Sequence, residues 1–368
     1  MYKNDNRVVM TLDAGGTNFV FSAIRGCREV VEPIRLDAVN DNIERCLEVL
    51  VKGFRMVEAA LGEKKPVAIS FAFPGPADYE HGIIGDLPNF PCFRGGVAMG
   101  PFLADTFGIP VFINNDGNLF AYGEALAGAL PEINEKLSEA GSSKRYKNLL
   151  GLTLGTGFGG GVVIDGRLLK GDNGCGGDVW LMRNAKYPNL ITEESVSIRA
   201  VKRVYHENAP EDTRDISPRE IFDIAEGRTE GNMLAARTAF AELGRVAADA
   251  IIHALDIVDG IVVVGGGIAN SWKFIFPAMV EEMNSNLGVF SGAEFPCLQM
   301  KTFNLTTTEG MSDFLKDNSK TVTVPGTGCE VRYCNEMKTG VTFSHIGTST
   351  AISLGAYAYA LAQIDGNQ

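Results

Sequence analysis

Two stretches of the chain place glycines and a threonine between two apolar runs: VVMTLDAGGTNFVFSAIRG (8–26) and LLGLTLGTGFGGGVVIDG (149–166). Each reads as a β-hairpin whose tip is bare of large side chains. Glycines let backbone N–H groups approach a ligand closely, and a threonine hydroxyl adds a donor, so each tip suits a phosphate. Two tips of one plan, Gly15-Gly16-Thr17 and Gly155-Thr156-Gly157, point to ATP held between two related domains. Asp13 ends the first apolar run and can hold the water shell of Mg2+ beside phosphates; a turn-capping aspartate is the alternative. Asp116 follows the strand-like run VFIN (111–114) and Asn115. Phosphate transfer to a hydroxyl needs a carboxylate to take the hydroxyl proton, and a strand-end aspartate suits that role. Capping of the following helix suits it equally well. Gly265, Gly266 and Gly267 follow IVVV (261–264). A dinucleotide fingerprint needs Gly or Ala three residues after Gly267, where Asn270 stands. The readings left are a nucleoside lying on a glycine-lined turn and simple tight packing.

Strand and helix patterns alternate around these positions. Strand-like runs at 7–12, 18–24, 28–34 and 66–73 accompany a helix over 42–61, with apolar Ile43, Leu47, Leu50, Val51 and Phe54. The strand 111–114 leads into a helix rich in glycine and alanine. Residues 131–148 are polar and read as an exposed excursion. The segment 186–232 reads as polar helices, and 235–256 as an amphipathic helix carrying Phe240, Leu243, Ala247, Ile251 and Leu255. The Thr-rich segment 298–342 reads as an insertion, and 353–363 as a small-residue helix that packs back on the first domain. The fold class is α/β, with two lobes of like topology and a cleft between them. An N-terminal lobe of 1–115 plus 346–368 and a C-terminal lobe of 116–345 are expected. Ligands in such sheets sit at the carboxyl ends of strands, where these glycine turns lie.

At 368 residues the chain exceeds one ordinary core, in keeping with two domains. Its 33 basic and 45 acidic side chains give a net charge of −12, which argues against a nucleic-acid partner. No apolar run approaches the roughly 20 residues that span a bilayer, and MYKNDNRVVM lacks the pattern of a signal peptide. Seven scattered cysteines without a CxxC pair predict a reduced, cytoplasmic protein rather than a disulfide framework.

Six segments, in order, carry a resemblance: LDAGGTNFVFSAI (12–24), FAFPGPADYEHGII (71–84), LPNFP (87–91), INNDGNLFAYGE (113–124), LTLGTGFGGGVVIDG (152–166) and VVVGGGIA (262–269). The chain resembles the ROK-family sugar kinases, bacterial glucokinases, fructokinases and N-acetylmannosamine kinases of the actin/hexokinase/Hsp70 ATPase fold. The resemblance implies that Asp13, Gly15, Gly16 and Thr17 form the first phosphate motif. Gly155, Thr156 and Gly157 would form the second, and Gly265 and Gly266 the adenosine motif. It makes Asp116 the catalytic base, Asn115 and Asn89 sugar ligands, ATP and Mg2+ the cofactors, and a homodimer the expected assembly.

The sequence departs from that family in one stretch. A Glu-x-x-His pair for the sugar is expected in GDNGCGGDVWLM (171–182), but Asp178 stands at the Glu position and Leu181 at the His position. The cysteine string that binds zinc in the family is missing, since Cys175 is the sole cysteine between Cys92 and Cys297, so no zinc site is expected. In ITEESVS (191–197), Glu194 is favoured over Glu193 as the second sugar carboxylate. The expected activity is ATP-dependent phosphorylation of a hexose hydroxyl, O6 of a glucose-like sugar. The rivals are a non-catalytic sugar- or nucleotide-binding member of the fold and a kinase for an N-acetylhexosamine.

Overall fold

The residues before the first glycine tip are buried on both faces of a strand, and the rest of the first sheet follows from that. The computed structural model describes residues 2–15, 17–86 and 91–366. In β1 (Val8–Ala14), Val8 through Leu12 are all buried, the mark of a central strand. It pairs antiparallel with β2 (Asn18–Arg25), Leu12 facing Phe21 and Asp13 facing Val20. The short β3 (Arg28–Glu29) and β4 (Ile34–Asp37) both pair with β2, so the run expected at 28–34 divides in two. Helix α1 (Ile43–Leu61) is capped by the Asn42 side chain, which accepts from the Arg45 N–H, and closes at Gly62 with φ 63°. Its buried stripe of Cys46, Leu50, Phe54, Val57 and Leu61 has the spacing of one helix face. Phe54 meets Phe21 edge to face, with ring centres 5.1 Å apart. Gly53 lies so close to the Phe21 ring that a Cβ there would collide with it.

The parallel half of this sheet is β5 (Pro66–Ala72), beside β1, and β8 (Val111–Asn114), beside β5. Between them come the two-residue strands β6 (Ala77–Asp78) and β7 (Ile83–Ile84), and helix α2 (Met99–Phe107). Helix α3 (Asp116–Leu126) follows β8 directly. It crosses α10 (Thr348–Ile364), the expected small-residue helix, at very short range. Gly123 faces the Ala351 carbonyl and Gly355 faces the Leu119 carbonyl, and neither position has room for a Cβ.

The second sheet repeats the plan. Like the order β3-β2-β1-β5-β8 of the first, it sets a hairpin beside parallel strands. The hairpin is β9 (Leu149–Leu154) with β10 (Phe158–Ile164), continued by β11 (Arg167–Leu168). The parallel strands are β12 (Ile261–Gly265), β18 (Lys338–Phe343) and β15 (Lys301–Asn304). Residues 131–148 are not an exposed excursion. They begin within helix α4 (Ala129–Glu139), whose Leu130, Ile133 and Leu137 are buried, and Tyr146 beyond it donates its hydroxyl to the Lys338 carbonyl at 2.6 Å. Three apolar residues at helical spacing suffice to bury one face of a polar helix.

Helices α5 (Ile198–Asn208), α6 (Pro218–Ala225), α7 (Met233–Val258) and α8 (Trp272–Met283) follow in the second half of the chain. The segment 298–342 is not an insertion as a whole, because β15 and β18 are sheet strands, with Val341 facing Val262. The parts off that sheet are α9 (Thr308–Leu315) and an exposed hairpin of β16 (Lys320–Thr323) and β17 (Glu330–Tyr333). A similar exposed hairpin, β13 (Asn286–Gly288) with β14 (Glu294–Pro296), follows α8. The chain divides into two compact units. One comprises Met1–Gly128, Gly161–Gly177 and Ser344–Gln368, the other Ala129–Gly160 and Asp178–Phe343.

Candidate active site

In the first unit, the tip after β1 is closed by its own backbone. The Gly15 N–H donates to the Asn18 carbonyl at 3.0 Å, and the Ala38 N–H to the Thr17 carbonyl at 3.0 Å. The Thr17 hydroxyl is exposed and accepts from Asn18 Nδ2 at 3.1 Å. Asp13 is half-buried at the end of β1, and lines a small cavity of about 210 Å3 with Thr11, Ser22 and Ser353. Gly16 and Asn89 lie outside the described residues.

The other strand end of this unit separates two roles that the sequence left open. Helix α3 is capped by Asn115, whose Oδ1 accepts from the Gly117 N–H at 2.8 Å. Asn114, buried beneath it, uses its Oδ1 to accept from the Asn115 N–H at 2.8 Å and from Asn118 Nδ2 at 3.0 Å. Asp116 sits at the first helical position rather than at the cap. One of its oxygens, Oδ1, also accepts from the Gly117 N–H at 2.8 Å. The residue stays accessible to solvent although protein atoms crowd it. That crowding removes water from the carboxylate and pushes its pKa above the ordinary value, against the lowering by the Gly117 N–H.

In the second unit, the tip between β9 and β10 is held from outside itself. The Gly155 N–H donates to the Gly157 carbonyl at 3.0 Å, and the Gly155 carbonyl accepts from the Ile198 N–H at 2.9 Å. The Phe158 N–H donates to Glu193 Oε2 at 3.1 Å. A Cβ on Gly157 would stand 2.5 Å from that same oxygen, so a side chain at 157 requires the Glu193 carboxylate to move. A Cβ on Gly155 would meet nothing within 4 Å. At the end of β12, Gly266 has φ 89° and presses on the Leu154 backbone, whereas Gly267 faces open space. Gly266 is thus closely packed, and Gly267 leaves the turn open on one side.

The ROK family profile matches residues 9–315. The chain belongs to the ROK family. A glucokinase from Thermotoga maritima is 29% identical over 299 residues, 74% of this chain and 86% of that protein. An N-acetyl-D-glucosamine kinase from Vibrio cholerae is 28% identical over 297 residues, 75% of this chain and 89% of that protein. The crystal structure of a glucokinase from Parabacteroides distasonis is similar at a TM-score of 0.89 with 58% identity, covering 98% of this chain and 99% of that one. The fold is that of the actin-like ATPases and hexokinases, to which the ROK structures belong.

The stretch 171–182, where the sequence lacks the expected Glu-x-x-His pair, lies open to solvent over much of its length. Asp178 is exposed and precedes a short 3-10 turn (Val179–Leu181) without capping it, and Leu181 is exposed. Glu194 is half-buried on a second such turn (Thr192–Glu194), paired with Arg199 at 2.9 Å. Its neighbour Glu193 carries the contact to the hairpin. Nothing in the spacing of ITEESVS distinguishes the two glutamates; the direction in which the turn presents each side chain does. Among the described residues no cluster of three or more His, Cys, Asp or Glu side chains is arranged for a metal. For Mg2+ held by phosphate oxygens and water, a single accessible carboxylate such as Asp13 is the kind of donor required. Among the described residues no helix is long and apolar enough to cross a membrane.

Proposed function

We propose that this ROK-family sugar kinase transfers the γ-phosphate of ATP to a hexose hydroxyl, O6 of a glucose-like sugar, with Asp116 as the general base. The observation that carries this reading is the division of labour at residues 115 and 116. Asn115 takes the cap of α3, and the Asp116 carboxylate, although its Oδ1 also accepts from the Gly117 N–H, stays accessible for proton transfer; its raised pKa makes it a stronger base than an ordinary carboxylate. As the sugar oxygen attacks phosphorus, Asp116 takes the hydroxyl proton, the new O–P bond forms, and the bond to the bridging oxygen breaks to release ADP. The glycine tips offer backbone N–H groups to the phosphates, and Thr17 adds a hydroxyl. Bound Mg2+, reached by Asp13 through water, would neutralise phosphate charge. Asn115 Nδ2, Asp178 and Glu194 are the sugar contacts in this reading, together with Asn89.

A second reading, phosphorylation of an N-acetylhexosamine, is favoured by the similarity to the Vibrio cholerae enzyme. Exposed Leu181 offers an apolar surface to an acetamido methyl group. The experiment is a coupled assay of ADP release from Mg-ATP over a panel of hexoses and N-acetylhexosamines, with Asp116→Ala as the blank. Turnover on one sugar that vanishes in the variant supports the reading and names the acceptor. Turnover that survives in Asp116→Ala removes Asp116 as the base.

A further inference from the structure

The two glycine tips leave an electrostatic problem. Neither 12–19 nor 152–160 contains Lys or Arg, and the whole chain carries a net charge of −12. A nucleotide's phosphates bring several further negative charges to such a protein. One cation does reach a tip: the Arg199 guanidinium donates through Nη1 to the Thr156 carbonyl at 3.4 Å, and its side chain is 52% exposed.

Arg199 is held there by two carboxylates, Glu194 Oε1 at 2.9 Å and Glu193 Oε1 at 3.3 Å. Glu194 is itself 45% exposed, and an exposed ion pair is weakly held. Glu193 has a second attachment, through Oε2 to the Phe158 N–H, so it keeps a partner if the arginine leaves. The planar guanidinium carries five N–H donors, more than these contacts use, in a fork that matches a phosphate.

A second observation lies one residue away. Ser197 occupies the N-cap position of α5 but makes no capping hydrogen bond, and its fully buried Oγ has no partner among the described residues. The start of this 11-residue helix thus lacks a side-chain cap beside Gly155, whose carbonyl takes only the first N–H, that of Ile198. Uncapped N–H groups at a helix start favour an anion.

We infer that Arg199 is a nucleotide-phosphate ligand, released from Glu194 when a nucleotide binds and directed at its terminal phosphates together with the start of α5. The inference rests on the kinase reading above. It is tested by titration calorimetry of wild type, Arg199→Ala and Arg199→Lys with Mg-ATP, Mg-ADP and AMP, without sugar. Loss of one charge-assisted contact predicts Mg-ATP binding about tenfold weaker in Arg199→Ala. AMP binding should be unchanged, and Arg199→Lys should fall between. Equal Mg-ATP affinity in all three proteins overturns the inference alone, as does an equal loss for AMP and Mg-ATP, which marks a merely structural residue. If the alanine variant fails to fold, the lysine variant decides by the same comparison of ATP with AMP. A wild-type protein that binds no nucleotide removes the kinase reading, and the Arg199 inference with it.

Discussion

The two glycine hairpins share one sequence plan but not one means of support. The tip after β1 is closed by bonds within its own backbone and from neighbouring Ala38. The tip between β9 and β10 is held by residues 193–199: Glu193 on Phe158, Ile198 on Gly155, Arg199 on Thr156. A turn held by distant side chains can be displaced by a single substitution elsewhere in the chain. Among the described residues the first turn is held by backbone bonds, one of them from Ala38, so side-chain changes elsewhere reach it less directly.

The largest effect is expected outside both tips, at the residue they would serve. Asp116→Ala should lower kcat by roughly 10^2–10^4 while nucleotide affinity, measured by calorimetry, stays near that of wild type. A loss of nucleotide binding instead would place Asp116 with the phosphate machinery. Next comes a direct contrast inside the second tip. Gly157→Ala drives a methyl into Glu193 and should destabilise the fold by about 1–3 kcal/mol, the usual range for overpacking. Gly155→Ala meets open space, so its stability should change by less than about 0.5 kcal/mol. Equal melting temperatures for the two variants would mean that Glu193 yields freely and does not brace the tip.

Asp116 also predicts a pH dependence. Its folded-state pKa lies above the unfolded value, so the folded state binds the proton more tightly. Its contribution favours folding below the unfolded pKa near 3.8 and is lost as pH rises through the raised folded value. Asp116→Asn should therefore melt higher than wild type at neutral pH. In the wild type, kcat/KM should fall on the acid side as the base is protonated, with a midpoint above that of an ordinary aspartate. A variant that melts lower at neutral pH would show the charge to be stabilised rather than crowded. The smallest effect is expected for Glu194→Gln, which removes an exposed pair with Arg199 and should shift stability by less than about 1 kcal/mol. A rise in the sugar KM of that variant would mark Glu194 as a sugar ligand.

Local signals made the hairpins, α1, β8, α7 and α10 legible: continuous apolar runs, helical stripes and glycine tips each act within a few residues. Helix α4 was hidden because its three buried residues are diluted by charged neighbours, and only burial picks them out. The strands β15 and β18 were hidden by a threonine-rich composition that also suits exposed hairpins, and their place beside β12 is a long-range pairing. Asp116 was visible as a carboxylate at a strand end, yet the sequence could not show that Asn115 takes the cap position and that both side chains share the Gly117 N–H. The contact of Glu193 with the second tip joins residues 35 positions apart, and no short-range pattern encodes it.

The close crossing of α3 with α10 has a consequence for the order in which the chain can fold during synthesis. Helix α10 follows every other helix and strand, yet it belongs to the first unit, against α3, β1 and β5. All of the second unit has left the ribosome before the first can complete its core. The earlier half of the protein must therefore wait, with the groove along Gly123 uncovered, until the last helix arrives to fill it.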